Sequence, residues 1–177
     1  MNKLESKYFG LKKEIASSSK TSPKVLDKLS KDESSVVRID VAWNKNTSSE
    51  TLHNLNKDKD WRVREEVAKN EKTSPKTLHN LRNDVDEDVR CCVAHNENTS
   101  PKTLHEMRND IDCRVRREVA RNRKTHPETL NEMSKDKNKD VRREIAKNKN
   151  TFPETLHDLS KDEEAAVREM AKYRLMR

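Results

Sequence analysis

Cys91 and His95 stand four residues apart, with Cys92 and Cys113 nearby in sequence. On one helix face such a pair offers two soft donors to zinc, or a thiol beside an imidazole. No Cys-x-x-Cys pair anchors a metal site, however, so ordinary variation is the simpler reading and no cofactor is expected. Histidines recur at His53, His79, His105 and His157, each directly after a leucine. Arginines recur at Arg38, Arg64, Arg90, Arg116, Arg142 and Arg168, each with an aspartate six residues earlier (Asp32, Asp58, Asp84, Asp110, Asp136, Asp162). A guanidinium can clamp a carboxylate or a phosphate with two parallel hydrogen bonds. Such a set therefore serves either a partner or the fold itself. Which of these chemistries survives depends on the elements that carry the residues.

Those elements must be built from an unusually polar chain. Of its 177 residues 40% are charged, 30% hydrophobic and 3% aromatic, figures that taken without pattern lean toward disorder. The N-terminal stretch has no apolar signal region, and no run approaches the roughly 18 apolar residues of a membrane span. With three cysteines in no disulfide-like spacing, a cytoplasmic protein with reduced thiols is expected.

Pattern decides in favour of a fold. The dipeptide Val-Arg falls at 37, 63, 89, 115, 141 and 167, always 26 residues apart. Counting each Val as zero, Val41, Val67, Val93, Val119 and Ile145 occupy plus 4, and Ala42, Ala68, Ala94, Ala120 and Ala146 occupy plus 5. Leucines 52, 78, 104, 130 and 156 occupy plus 15; Leu55, Leu81, Met107, Met133 and Leu159 occupy plus 18. Leu11, Ile15, Ala16, Leu26 and Leu29 supply a first copy. Both apolar sets have helical spacing, so each unit reads as two short helices. Thr at plus 10 suits an N-cap, with Glu50, Glu128 and Glu154 completing capping boxes. The prolines then fall in a first turn, and Asn at plus 7 suits a left-handed helix terminus. Helices this short are unstable alone, so stacking must supply the core.

The motif V-R-x-x-V-A-x-N-x-x-T-x-P-x-T-L-x-x-L-x-x-D resembles the leucine-rich repeat variant family. That resemblance implies an all-α, right-handed solenoid, a superhelix related to HEAT repeats, and no common activity. An N-terminal cysteine-ligated iron–sulfur cluster, present in some members, is not carried over because no cysteine precedes Cys91. The expected organisation is an N-terminal cap over 1–10 and six repeats (11–36, 37–62, 63–88, 89–114, 115–140, 141–166). A partial repeat and C-terminal cap follow over 167–177, where "VREMAKYRLMR" drops a residue and Met170 takes the plus 4 place. Leu4, Tyr8 and Phe9 can cover the first repeat, and a monomer is the default.

Within such a stack the ladders sort themselves. Plus 1 flanks the buried stripe, so Arg64, Arg90, Arg116 and Arg142 with Asp58, Asp84, Asp110 and Asp136 read as a structural ion-pair ladder. Stacked helices lie about 8–10 Å apart, too far for neighbouring histidines to share a zinc ion with bonds of about 2 Å. Function should lie where the repeats differ, at plus 2 and plus 6, on the side that analogy with HEAT repeats makes concave. There the candidates for partner contact are Ile39, Trp43, Lys69, Cys91, His95, Arg117, Arg121, Arg143 and Lys147. Residues 113–149 hold 13 Lys+Arg and 6 Asp+Glu, which equals the whole net charge of +7. The expected function is a non-enzymatic scaffold for a protein or peptide. Nucleic-acid binding through the basic fifth and sixth repeats is the alternative. A HEAT-like DNA glycosylase is a remote third reading, resting on the fold analogy alone, by which Trp43 with Asp40 or Glu66 could imitate such an enzyme's cleft.

Overall fold

The computed structural model describes residues 3–176, with side chains from Lys7 onward. Contacts divide the chain into two compact units, Met1–Asn98 and Thr99–Arg177. The first holds α1 (Lys3–Ser17), α2 (Pro23–Leu29), α3 (Ser35–Trp43), α4 (Ser49–Leu55), α5 (Trp61–Lys69), α6 (Pro75–Leu81) and α7 (Glu87–His95). The second holds α8 (Pro101–Met107), α9 (Cys113–Arg121), α10 (Pro127–Met133), α11 (Lys139–Lys147), α12 (Pro153–Leu159) and α13 (Ala165–Leu175). Among the described residues there is no strand. Nine-residue helices carry the Val-Arg motif and alternate with seven-residue helices carrying the Thr-Leu motif.

Within the first unit each longer helix packs on the next, α1 on α3, α3 on α5 and α5 on α7; in the second, α9 packs on α11 and α11 on α13. Val63, Val67, Ala68 and Leu78 are fully buried, as are Val115, Val119, Ala120 and Leu130. Small β-branched residues and alanines at the long-helix contact allow close approach, while the leucine of each short helix fills the space beneath. Each such leucine contributes roughly 1.5–3 kcal/mol, enough in aggregate to hold helices too short to persist alone. In the first copy Ala16 and Leu26 are buried, but Leu11 is exposed. Leu4 lies outside the described side chains, and Tyr8 is exposed.

Three local expectations need correction. The N-cap of each short helix is the residue after the threonine. Ser48, Ser74 and Ser100 accept hydrogen bonds from the N–H groups of Thr51, Thr77 and Thr103. The plus 10 threonine is instead buried, its hydroxyl donating to the last turn of the preceding helix, as from Thr47 to the Val41 carbonyl at 2.5 Å. The capping glutamate is correspondingly one place early, and the third helical residue is a threonine.

Asn at plus 7 is also not left-handed. Asn44, Asn70 and Asn148 are extended (φ −66° in each), and no described non-glycine residue has positive φ. Their conformation points the side chain backward to the neighbouring repeat. At the C-terminus, α13 keeps its register without a deletion. Ala171, not Met170, takes the buried plus 4 place, and the smaller side chain leaves plus 5 to Lys172 on the outside.

Candidate functional site: the presented face of the long helices

Polar ladders hold the long helices in position. Asn44 Nδ2 donates to the carbonyls of Ala16 (2.7 Å) and Ser18 (2.9 Å). Asn70 donates to those of Ala42 and Asn44, and Asn148 to those of Ala120 (2.7 Å) and Asn122 (3.0 Å). Each side chain thus satisfies carbonyls freed at the end of the preceding long helix. Arg174 does the same for Lys147 and Asn148 at the last position. Asn46 and Asn150, two places further on, repeat the arrangement one loop higher.

The arginines make a second ladder. Arg38 grips Asp58 through Nε (2.6 Å) and Nη2 (2.9 Å), and Arg64 grips Asp84 in the same way. In the second unit the pairs are Arg116 with Asp136 and Arg142 with Asp162. The remaining nitrogen, Nη1, turns to a carbonyl of the loop just before its own helix: Asp84 for Arg90, Asp110 for Arg116. Asp110 accepts the N–H of Asp112. These guanidinium groups are spent on the fold, which removes them as partner-binding cations. The histidines are similarly engaged: His53 Nδ1 and His105 Nδ1 lie 3.0 Å from the buried hydroxyls of Thr77 and Thr129. Asn131 fills the same place by accepting from Thr155.

Burial by itself pushes the carboxyls of Asp58, Asp136 and Asp162 up. The guanidinium fork and a backbone N–H outweigh it, so all three lie below the ordinary value of 3.8. A carboxyl depressed in the folded state contributes stability above its unfolded pKa and loses it as pH falls through the folded one. Urea unfolding should therefore show little change in ladder stability from pH 7 down to about 4, then a steep loss. A flat profile to pH 3 would contradict the ladder's energetic role. Asp40 behaves oppositely, raised by burial, and its Oδ2 has no hydrogen-bond partner among the described residues.

With the ladders assigned, the outward positions remain. In the first unit Trp43, Lys69 and His95 are the last residues of α3, α5 and α7. Trp43 is 61% exposed and Ile39 is half-buried on the same helix. An open hollow of about 360 Å³ lies against Trp43, Lys45, Glu66, Lys69, Glu71 and Lys72. A second, of about 510 Å³, shares Lys69 and Glu71 and extends to His95, Glu97 and Asn98. Lys69 is clamped between Glu65 (2.8 Å) and Glu66 (2.9 Å). Burial lowers its affinity for the proton, but the two carboxylates more than compensate and hold it charged. Sequence reasoning missed this clamp, although glutamates three and four places before a helical lysine announce it.

The structure thus brings Trp43, Glu66 and Lys69 together at one hollow, and Lys69 with His95 at the next. Glu66 is occupied by Lys69, a poor state for a general base. Cys91 and Cys92 are both half-buried on α7, and burial pushes the Cys92 thiol up to about 12, where it is a weak nucleophile. Among the described residues, no three His, Cys, Asp or Glu side chains come together as a metal site would need. Trp61, first residue of α5, is 40% exposed and takes no part in either hollow.

In the second unit the outward positions are cationic. Arg117 and Arg121 lie on α9, Arg143 and Lys147 on α11. Glu118 and Glu144 lie between them but beneath, with side chains only 11% and 13% exposed. The side chains of Arg117, Arg143 and Lys147 are 40–45% exposed.

No family model matches the sequence, and no curated protein matches it significantly. Among solved structures, a leucine-rich repeat variant with a novel repetitive structural motif superposes with a TM-score of 0.61 at 25% identity, covering 89% of this chain and 73% of that one. An engineered protein superposes with a TM-score of 0.51 at 16% identity, covering 86% of this chain and 56% of that one. No described helix is long and apolar enough to cross a membrane. The alternation of helices, the 26-residue period and these superpositions agree that the chain is an all-helical repeat protein, with a solenoid fold similar to that of the leucine-rich repeat variant.

Proposed function

We propose that the protein is a non-enzymatic scaffold that binds a protein or peptide through the outward face of its long helices. The observation that carries this reading is Trp43, a large aromatic residue exposed beside an open hollow. The fold has no structural use for it there: the same repeat position is Lys69 and His95 in the following helices. Tryptophan and arginine dominate binding hot spots because they offer large, stiff contact area. Ile39 extends the apolar surface, and Lys45, Lys69 and Lys72 at the hollow supply a polar rim of the kind that surrounds such anchors.

Selection from a displayed peptide library on the immobilised protein tests this. Selected peptides should bind Trp43→Ala at least about thirtyfold more weakly, the loss of a hot spot worth about 2 kcal/mol. The urea midpoint should stay unchanged, since an exposed side chain is removed. Peptides that bind both forms equally, or no enrichment over a blank surface, would count against the reading. The nucleic-acid alternative turns on the basic face of the second unit.

A further inference from the structure

The cations of the second unit exceed what its fold requires. On the repeats of α9 and α11, plus 2, plus 6 and plus 8 carry Arg117, Arg121, Arg123, Arg143, Lys147 and Lys149, six cations, against Glu118 and Glu144 at plus 3. The helix dipole accounts for Arg121 and Lys147, which end their helices, but not for Arg117 and Arg143 in mid-helix. Internal pairing accounts for one: Lys147 binds Glu144 at 2.7 Å. Arg117 and Arg143 make only 3.4 Å contacts, to Glu118 and Asp140. Among the described residues Arg121, Arg123 and Lys149 have no ion-pair partner. Nor does the repeat demand cations at plus 2 and plus 6, because the first unit places Ile39, Trp43, Glu65 and a doubly clamped Lys69 there. With both glutamates sunk beneath, Asp140 at the start of α11 is the exposed acid, and the outer layer over α9 and α11 is predominantly basic.

We propose that this layer holds an extended, acidic segment of the peptide partner, an inference that rests on the scaffold reading above. The guanidinium fork matches a carboxylate with two parallel bonds. Stacked helices lie about 8–10 Å apart, which one three-residue turn of a polyproline II segment spans at about 3.1 Å per residue. Acids at every third position of such a segment share one face and therefore meet successive repeats. A nucleic-acid strand finds less here. Neither α9 nor α11 carries an aromatic residue on which bases could stack. Two repeats of cations also reach few phosphates, and phosphate contacts supply most non-specific affinity.

Fluorescence anisotropy separates the two. The probes are a labelled peptide of about twelve residues with Glu at every third position, its Lys counterpart, and single- and double-stranded oligonucleotides of similar length, each at two salt concentrations. The acidic peptide should bind, and should bind at least tenfold more tightly than its Lys counterpart or either oligonucleotide. Arg121→Glu with Lys147→Glu should weaken it at least tenfold, while reversing Lys135 and Lys161, exposed but off this layer, should not. Should the first pair lose helicity by circular dichroism, Arg123→Glu with Lys149→Glu replaces it. An oligonucleotide that binds as tightly as the peptide, a charge reversal without effect, or no binding at all overturns the inference. Neutral selected peptides that depend on Trp43 and ignore this layer would sink it while leaving the scaffold reading intact.

Discussion

Asp136→Ala lowers the free energy of unfolding by about 3–5 kcal/mol, the usual cost of removing one partner from a buried ion pair. The carboxylate accepts from Arg116 at 2.6 and 3.0 Å, and from the Asn138 N–H at 2.8 Å. Arg116 is buried to 6% exposure, so its charge cannot turn to water. Nη1 remains bound to loop carbonyls, but Nε and Nη2 face an empty place. The double replacement Arg116→Met with Asp136→Leu should cost far less, because no uncompensated charge is left. It still orphans the Asn138 N–H, a loss of about 1 kcal/mol. Urea titrations of the three proteins at pH 7 decide the matter. A single variant within 1 kcal/mol of wild type would mean that the pair is a passenger.

Asn148→Asp is the second large effect, and its sign depends on pH. The change is nearly isosteric, yet it sets a carboxylate oxygen where Nδ2 sat 2.7 Å from one carbonyl and 3.0 Å from another. Two acceptors lose their donor, at about 1–3 kcal/mol each, and a buried negative charge faces them. At pH 7 the expected loss is at least about 4 kcal/mol, more than for Asn148→Ala, which leaves the carbonyls orphaned but not repelled. The introduced carboxyl has its pKa raised in the folded state, so part of the loss returns as pH falls and a proton restores one donor. If Asp proves no worse than Ala at neutral pH, the electrostatic account of the ladder fails.

The fold was readable from the sequence because its period is strict and its core positions repeat type for type. Val63, Val67, Ala68 and Leu78 could be assigned to the interior from spacing alone. What failed were positions whose residue type has two uses. Threonine and serine both cap helices, and they stand side by side, so the cap was placed one residue early. Asparagine both tolerates the left-handed region and reaches across a gap. Only the packing of the preceding helix shows that Asn44 has carbonyls within reach. At the C-terminus Met170-Ala171 imitates the repeat's Val-Ala pair one place early, and only the packing shows that Ala171 holds plus 4. Of the candidate site, the positions could be named but not the hollows, since Trp43, Glu66 and Lys72 converge from separate segments. The basic layer was visible as a charge count; that its glutamates lie underneath was not.

The arginine forks also bear on how such a chain can grow. The pairs Arg38–Asp58, Arg64–Asp84, Arg116–Asp136 and Arg142–Asp162 close at 2.6, 2.6, 2.6 and 2.7 Å, each reaching 20 residues ahead. The asparagines reach 26 and 28 residues back with equal regularity. Donor and acceptor sets are therefore standardised, like matching couplings on identical carriages. Duplication of one 26-residue segment inserts a new repeat whose couplings already fit, without any compensating change in the neighbours. Outward residues take no part in that fit. They are free to diverge as soon as a copy is made, and a row of such copies can acquire Trp43 at one place and Arg121 at another while the interior stays the same.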